Sequence, residues 1–303
     1  LNTSGVQIAL HPEYAKKLEP YVSTIYMSFD GVSSKTNPKN HCYIPLIFKA
    51  LRDAHGPGVV LVPTLIKGVN TQEMGDIIAF ALNHLDIVQG VNFQPISFCG
   101  RATKSERKKH RITIPGAIKM IEEQTNGVIP KDAWYPVPAE IPISEFINLL
   151  ANMNYPFNSH FACGAATYLF LDGDRVVPIT EFIDVDGLLE FFWEFVEKGK
   201  LSRIDKARII AKIPSFIDLK KVPKSFDFVK LIKGAFSGNY NCIAEFHRKS
   251  LFLGMMHFMD KWNYDVERVE RCCIPYAVPD GRLIPFCAFN IFPEVYRDKI
   301  QRE

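Results

Sequence analysis

The stretch that decides the fold is residues 59–70, which read VVLVPTLIKGVN. Its first eight residues are nearly all apolar and mostly β-branched, which is typical of a strand buried on both faces of a parallel sheet. The polar loop Lys67-Gly68-Val69-Asn70 follows directly. The pattern therefore predicts an interior strand of a parallel sheet with a polar loop at its carboxyl end.

The segments on either side repeat the same order of strand, loop and helix. Residues 23–29 (STIYMSF) predict a strand that stops at Asp30-Gly31, and helical spacing follows over residues 44–53. On the other side, residues 74–85 have helical spacing and residues 91–98 (VNFQPISF) predict a third strand. This spacing predicts right-handed β/α units. Because no G-x-G-x-x-G follows a strand, a barrel or half-barrel is favoured over an open nucleotide-binding sheet.

Beyond residue 112 the pattern changes to a mixture of helices and hairpins. A Pro-rich connection over residues 130–142 leads to a predicted helix at 143–153, and Asp172-Gly173 predicts a hairpin turn. Residues 186–197 predict an amphipathic helix, and residues 245–259, rich in Phe, Leu and Met, predict another. The chain is thus predicted to divide into a β/α segment, residues 1–112, and an α+β segment, residues 113–303.

Residues 271–290, RCCIPYAVPDGRLIPFCAFN, hold three of the seven cysteines. Pro279-Asp280-Gly281 has the chemistry of a tight turn, which predicts a β-hairpin. Its arms bring Cys287 opposite the Cys272-Cys273 pair, and it can share a face with only one of them. Such thiols form a metal site, a disulfide or ordinary buried cysteines. Cys163, beside a glycine before another hairpin, is a third candidate ligand, whereas Cys42, Cys99 and Cys242 are each predicted to be structural.

Composition excludes several classes of protein. A net charge of +3 is too small to predict nucleic-acid binding, and no apolar run approaches the length of a membrane span. Seven cysteines in 303 residues favour a reducing, cytoplasmic location over a secreted disulfide scaffold. No hydrolase or P-loop motif is present. The basic run at residues 104–111 (KSERKKHR) is predicted to be a solvated helix start, with contact to phosphate headgroups at a membrane surface as the alternative.

Three segments together resemble the radical S-adenosylmethionine (SAM) superfamily. Residues 26–31 (YMSFDG), 62–70 (VPTLIKGVN) and 90–97 (GVNFQPIS) look like the fourth, fifth and sixth strands of its partial barrel. With residues 160–168, 254–260 and 271–290, the pattern resembles the archaeal tetraether lipid synthase group and its close relatives. The implied fold is the C-terminal part of a partial (β/α) barrel followed by an α+β auxiliary iron–sulfur cluster domain.

The resemblance implies a chemistry and its cofactors. In this superfamily a reduced [4Fe–4S] cluster cleaves SAM to a deoxyadenosyl radical, which removes a hydrogen atom from an unactivated carbon. In the lipid synthases, isoprenoid tails are then joined carbon to carbon, with auxiliary clusters assisting. One departure is that the C-x-x-x-C-x-x-C signature of the SAM-binding cluster is absent here. We therefore expect an N-terminal portion of the same protein to carry that cluster, and an electron donor to reduce it.

The resemblance also implies roles for individual residues. The residues matching the SAM-binding strand ends are Ser28, Asp30, Thr64, Lys67, Asn70 and Gln94. The residues matching the auxiliary-cluster cysteines are Cys163, Cys272 and Cys287. The hairpin register prefers Cys273 over Cys272 as the partner of Cys287, whereas the family pattern favours Cys272, which we adopt.

The main hypothesis from the sequence is therefore a radical SAM enzyme that couples lipid tails. The Phe-, Leu- and Met-rich segment at residues 251–259 is predicted to form an apolar wall for the lipid substrate. The burial of ten methylene groups is worth about 8 kcal/mol. The first alternative is a radical SAM C-methyltransferase that acts on a pterin or similar small molecule. The second is a non-catalytic β/α scaffold with structural cysteines.

Overall fold

The computed structural model of the chain describes residues 1–100, 102–151, 159–224 and 241–300. Its central feature is a mixed but mainly parallel sheet. The strands found in these ranges are β1 (Asn2–Thr3), β2 (Thr24–Ser28), β3 (Gly58–Val62), β4 (Thr64–Leu65), β5 (Val88–Pro95), β6 (Tyr135–Pro136), β7 (Gly164–Asp172), β8 (Arg175–Pro178), β9 (Ser250–Met256), β10 (Pro275–Ala277) and β11 (Leu283–Pro285). The main sheet has the order β1-β2-β3-β5-β9-β7-β6, with β4 beside β5 and β8 beside β7.

The helices lie between and around these strands. They are α1 (Val6–Leu10), α2 (Glu13–Leu18), α3 (Ile44–Asp53), α4 (Met74–Leu82), α5 (Lys104–His110), α6 (Ile114–Gln124), α7 (Ile141–Ala151), α8 (Val185–Lys198), α9 (Arg203–Lys212), α10 (Asn241–Lys249), α11 (Val266–Glu270), α12 (Phe286–Ile291) and α13 (Arg297–Ile300). None of the helices in the described ranges is both long and apolar enough to cross a membrane.

The three predicted strands of the first segment are confirmed, and they pair in parallel. Tyr26 of β2 lies opposite Val60 of β3, which in turn lies opposite Gly90 of β5. The predicted strand over residues 59–66 is divided at Pro63, where β3 ends and β4 begins. Proline has no N–H to donate to a ladder, so it is tolerated only where pairing is interrupted. Beyond it, β4 pairs with the end of β5.

One face of the sheet is covered by helices, and the opposite face lines a cavity, so we call it the concave face. α3 has apolar residues at helical spacing, with Ile47, Phe48 and Leu51 buried against the sheet. In β2, Ile25 and Met27 point into this core, while the intervening Tyr26 is 41% exposed on the other face. This alternation defines the concave face as the side that carries Tyr26 and its in-register neighbours.

The predicted helix over residues 245–259 is wrong in its second half. α10 ends at Lys249 and the chain continues as β9, which pairs in parallel with β5 and antiparallel with β7. Leu251, Leu253 and Met255 are at most 2% exposed, so burial follows a period of two. The neighbouring strands β5 and β7 provide hydrogen-bond partners for the backbone of β9 on both sides. This tertiary pairing decides whether a short apolar run forms a strand or a helix.

The main sheet crosses the predicted division at residue 112. β5 belongs to the first segment, whereas β9 and β7 belong to the second. The main core likewise joins Val91 and Phe93 to Leu169, Leu253 and Met255. The division therefore does not coincide with an edge of the sheet, and it stays a prediction about domain organisation.

A second apolar cluster lies between α7, α8 and α9. It contains Phe146, Phe191, Phe192, Phe195 and Ile209, with the rings of Phe146 and Phe192 stacked 4.4 Å apart between centroids. The predicted helices at 143–153 and 186–197 match α7 and α8 within the described residues. The aromatic-rich face of α8 is therefore part of a core.

The predicted C-terminal hairpin is confirmed. β10 and β11 pair antiparallel with Pro275 opposite Pro285, and Gly281 has a φ of 84° in the turn. That left-handed conformation favours glycine. The prediction that Cys287 lies on a hairpin arm is wrong, because β11 ends at Pro285 and Cys287 belongs to the short helix α12.

Candidate functional site

The carboxyl ends of the parallel strands bring several predicted residues to one edge. Ser28, Thr64 and Gln94 are half-buried and alternate with core residues along their strands. Thr64 and Gln94 are direct partners in the β4–β5 ladder. Asn92, which sequence reasoning missed, lies two residues before Gln94 on the same strand. Its signal in the sequence is the alternation of apolar and polar residues over 91–95 (VNFQP).

Asp30 and Asn70 brace the loops that follow these strands. Asp30 Oδ1 accepts a hydrogen bond from the Thr64 N–H at 3.0 Å, and Oδ2 accepts one from Lys39 Nζ at 3.1 Å. Asn70 is 2% exposed, and its Nδ2 donates to the carbonyl oxygens of Asp30 and Thr64, both at 2.8 Å. Its Oδ1 accepts from the Ile66 N–H at 2.8 Å. The Asn70 amide therefore holds two loops together.

Lys67 is exposed on the loop after β4. Its backbone N–H donates to the His110 carbonyl oxygen at 3.0 Å, and its own carbonyl oxygen lies 3.0 Å from His110 Nδ1. The loop is thus anchored to the end of α5 while the Lys67 ammonium group is left in solvent. The six predicted SAM-binding residues share one edge of the sheet, and their role in binding a cofactor stays a prediction.

The basic run forms α5, and part of its charge is used inside the protein. The Arg107 guanidinium lies 4.9 Å from the centre of the Trp262 ring. Arg111 Nη2 donates to Asp260 Oδ2 at 2.5 Å, and Asp260 is fully buried. Lys104, Lys108 and Lys109 are exposed. In this helix, the side chains available for contact with phosphate groups are therefore these three lysines.

The three predicted cluster cysteines line one small pocket, which we call the cysteine pocket. It lies where β9 ends and β7 begins, under the hairpin. The residues that line it are Val137, Ser159, Cys163, Met256, His257, Phe258, Arg268, Arg271, Cys272, Cys273, Ile274, Phe286 and Cys287. The last pair in the β5–β9 register is Phe93 with Met255, and Gln94 and Met256 are the residues that follow each of them. The cysteine pocket and the strand-end polar residues thus share one edge of the sheet.

The backbone around the cysteine pocket is fixed by hydrogen bonds. The His257 N–H donates to the Cys163 carbonyl oxygen at 2.9 Å, and Arg268 Nη2 donates to the His257 carbonyl oxygen at 2.7 Å. Gly164 has no room for a side chain, because a Cβ there would lie 2.5 Å from the Met255 carbonyl oxygen. The glycine beside Cys163 therefore allows the close approach of β7 and β9.

Burial sets the electrostatics of the cysteine pocket. It raises the pKa of the Cys287 thiol to about 11, and the neighbouring Cys272 and Cys163 act in the same direction. The Met259 N–H, 3.4 Å from Cys287 Sγ, and the Arg268 guanidinium oppose this rise in the pKa. Burial, with help from Arg268 and Arg111, lowers the pKa of His257 to about 4, against the opposing charge of Asp260. The imidazole is therefore neutral at pH 7.

The remaining thiols differ in their surroundings. Cys272 is half-buried, with Sγ 3.4 Å from the Ile274 carbonyl oxygen, whereas Cys273 is exposed with Sγ 3.0 Å from Ser159 Oγ. Cys42 and Cys99 are exposed elsewhere on the protein. The Cys242 side chain lies outside the described residues.

The donor atoms of the cysteine pocket fit an iron–sulfur cluster better than a single metal ion. In the described ranges, no three Cys, His, Asp or Glu side chains are arranged to hold one ion. A single ion needs its thiolate ligands at about 2.3 Å from one centre, whereas a cluster spreads its ligands around several irons. His257 Nε2 and Arg268 Nε are buried here without hydrogen-bond partners. Thiol sulfurs and an imidazole nitrogen are donor types that iron–sulfur clusters accept, so the lining of the cysteine pocket is compatible with such a cluster.

A separate cavity of about 930 Å³ opens at the amino ends of the strands, on the concave face. Tyr26, Val60, Tyr168 and Phe252 form its apolar wall, and Arg52, Asp86 and Gln89 lie at its polar side. The Tyr168 and Phe252 rings meet edge to face, 5.4 Å apart between centroids. The concave face thus has an aromatic cavity at one end and the cysteine pocket at the other.

Comparison with known proteins identifies a relative over most of this chain. The chain is 44% identical, over an alignment of 307 positions, to a 7,8-dihydro-6-hydroxymethylpterin dimethyltransferase of Methanocaldococcus jannaschii. The match covers 96% of this chain and 60% of that protein, so the chain spans about three-fifths of the length of its relative. No protein-family model matches the chain.

Proposed function

We propose that this protein is a radical SAM C-methyltransferase that acts on a pterin-type small molecule. The observation that carries the proposal is the 44% identity, over 96% of this chain, to a dihydropterin dimethyltransferase. The strand-end residues that resemble a radical SAM barrel support the cofactor class. The relative favours the pterin alternative over the coupling of isoprenoid tails.

The cofactors of this proposal have candidate ligands in the described residues. Cys163, Cys272 and Cys287 would hold an auxiliary [4Fe–4S] cluster in the cysteine pocket, and the strand-end residues from Ser28 to Gln94 would contact SAM. When bound, a reduced cluster and SAM supply hydrogen-atom abstraction from an unactivated carbon. The SAM-binding cluster needs ligands other than the cysteines of this pocket, and an electron donor is proposed as its partner.

The side chains at the strand ends would bind and orient the substrate and SAM. Thr64 and Gln94 present two adjacent polar side chains, which suit the hydrogen-bonding edge of a planar heterocycle or of SAM. The Asn70 amide keeps the loop that carries Asp30 and the start of β4 at a fixed separation through its two 2.8 Å hydrogen bonds. Because these segments are already held in place without a ligand, the entropic cost of ordering them on binding is smaller.

The test is an anaerobic assay of the complete gene product with a reductant, SAM and 7,8-dihydro-6-hydroxymethylpterin. Mass spectrometry should detect pterins that are heavier by one and by two methylene units. Deuterium placed on the methylated carbons of the substrate should appear in 5′-deoxyadenosine. Turnover of SAM without any pterin product would contradict the proposed substrate. Absence of iron and acid-labile sulfide would instead favour the non-catalytic scaffold.

Isoprenoid tail coupling is kept as a second candidate because of the aromatic cavity. Its volume of about 930 Å³ is near the upper end for small-molecule pockets, and Tyr26, Tyr168 and Phe252 line it. Of the predicted apolar wall at 251–259, only Phe252 lines this cavity, because β9 is a strand and turns alternate residues toward the concave face. An archaeal diether lipid supplied in the same assay separates the two candidates by which substrate is converted.

A further inference from the structure

We propose that His257 is the fourth protein ligand of the cluster held by Cys163, Cys272 and Cys287, bound through Nε2. The inference rests on the proposed function insofar as that function places an iron–sulfur cluster in the cysteine pocket. It goes beyond that function because it completes the ligand set from within the described residues. It also assigns the cluster a nitrogen ligand, which has a spectroscopic signature of its own.

The first observation is an unpartnered nitrogen in the right place. His257 is 9% exposed, lines the cysteine pocket together with the three thiols, and its Nε2 is buried with no hydrogen-bond partner. Buried polar atoms in native proteins nearly always have a partner, so each exception needs an explanation. A metal bound to this nitrogen explains it, because imidazole replaces thiolate at iron in some clusters.

The second observation is that the backbone of His257 is tied to a proposed ligand. Its N–H donates to the carbonyl oxygen of Cys163 at 2.9 Å, and its carbonyl oxygen accepts from Arg268 Nη2 at 2.7 Å. His257 follows directly after β9, the strand that is paired on both sides. Such anchoring holds an imidazole at a fixed position relative to Cys163, as a rigid ligand set requires.

The other groups in the cysteine pocket are weaker candidates. Cys273 is exposed, and its Sγ lies 3.0 Å from Ser159 Oγ. Arg268 and Arg271 are cations and cannot donate an electron pair to a metal. The unpartnered Nε of Arg268 can instead donate a hydrogen bond to a cluster sulfide. His257 is therefore the strongest of these groups as a candidate for the fourth ligand.

The experiment uses the complete gene product, reconstituted with iron and sulfide under anaerobic conditions. Electron spin echo envelope modulation of the reduced protein measures nitrogen coupling to the cluster. SAM is omitted so that its nitrogens cannot contribute. Protein labelled with ¹⁵N-histidine identifies the imidazole. Cys287→Ala shows which part of the signal and of the iron belongs to the cysteine pocket.

Four variants separate the possibilities. We expect a histidine nitrogen coupling in the wild type that His257→Ala abolishes and that His257→Cys replaces by all-thiolate behaviour with unchanged iron content. His160→Asn is the matched control, because Asn keeps an acceptor for the Ala162 N–H that His160 Nδ1 now accepts at 3.1 Å. Cys273→Ser tests the rival thiol. Both of these should retain the nitrogen coupling.

Three results would overturn the assignment: no histidine coupling in the wild type, a coupling that survives in His257→Ala, or iron content that Cys287→Ala leaves unchanged. The pterin assay is read separately. Methylated pterin without a histidine coupling defeats the ligand assignment alone, whereas a histidine coupling without methylated pterin defeats the proposed substrate alone.

Discussion

At the residue scale, Asp260 is a fully buried charge whose carboxylate accepts three hydrogen bonds. Its Oδ2 accepts from Arg111 Nη2 at 2.5 Å and from the Phe98 N–H at 3.2 Å, and its Oδ1 accepts from the Trp262 N–H at 3.0 Å. It thereby joins the loops after β5 and β9, beside the cysteine pocket. The sequence offered no sign of this role, since one aspartate at the end of an apolar run is usually solvated.

We predict that Asp260→Ala destabilises the protein by about 3–5 kcal/mol, because Arg111 loses the buried partner of its charge. Asp260→Asn keeps an acceptor and should cost less. Urea denaturation measures both. Asp53→Ala is the control, because its pair with Lys49 is 63% exposed on the aspartate side and such pairs contribute about 0–1 kcal/mol. Equal losses for Asp260→Ala and Asp53→Ala would contradict the prediction.

Gly164→Ala should destabilise the protein by about 1–3 kcal/mol and lower its iron content. The new Cβ would lie 2.5 Å from the Met255 carbonyl oxygen and 2.8 Å from Val137 Cγ2. The Met255 carbonyl group cannot move away without breaking the β7–β9 ladder, in which Gly164 pairs with Met256. Adding Val137→Ala removes only the side-chain clash, so it should restore little of the stability. Full rescue in the double variant would show that the backbone contact is not limiting.

At the element scale, the predictions succeeded where local sequence and tertiary environment agree. α3 occupies residues 44–53 as predicted, because its apolar spacing matches one buried face. They failed for β9, where pairing partners from distant parts of the chain decide the conformation. They also failed for Cys287, because the hairpin arm ends at Pro285 and the chain continues as a short helix. The three cysteines were predicted together through a resemblance. His257 could not be found from sequence, because its burial depends on the closure of β7, β9 and α11.

The start of α9 gives a prediction about a single helix. Ser202 Oγ accepts from the Asp205 N–H at 3.1 Å, and Asp205 Oδ2 accepts from the Ser202 N–H at 2.8 Å, which together form a capping box. Ser202→Ala should cost about 1 kcal/mol, whereas Ser202→Gly should cost only a few tenths of that. Thermal and urea unfolding of both variants test this order. A larger loss for Gly than for Ala would contradict the capping role.

At the scale of the whole molecule, β9 joins the two predicted segments. It supplies the partner of β5 on one side and of β7 on the other, and the core on its helix-covered face draws residues from both sides of residue 112. The sequence predicted the β/α units correctly, but it placed the strand that unites them in a helix. The continuous sheet predicts that the two segments unfold as one cooperative unit.

Leu253→Ala tests that cooperativity. Leu253 is fully buried in the main core and pairs with Val91 and Thr167, so truncation should cost about 2–5 kcal/mol. Leu283→Ala is the control, because Leu283 is 65% exposed on the hairpin and should change stability by less than about 0.5 kcal/mol. If the sheet is one unit, tryptophan fluorescence and circular dichroism should show one coincident transition at lower urea in Leu253→Ala. The alternative outcome is two separate transitions, of which Leu253→Ala shifts only one. That result would show that residues 1–112 and 113–303 unfold as separate domains.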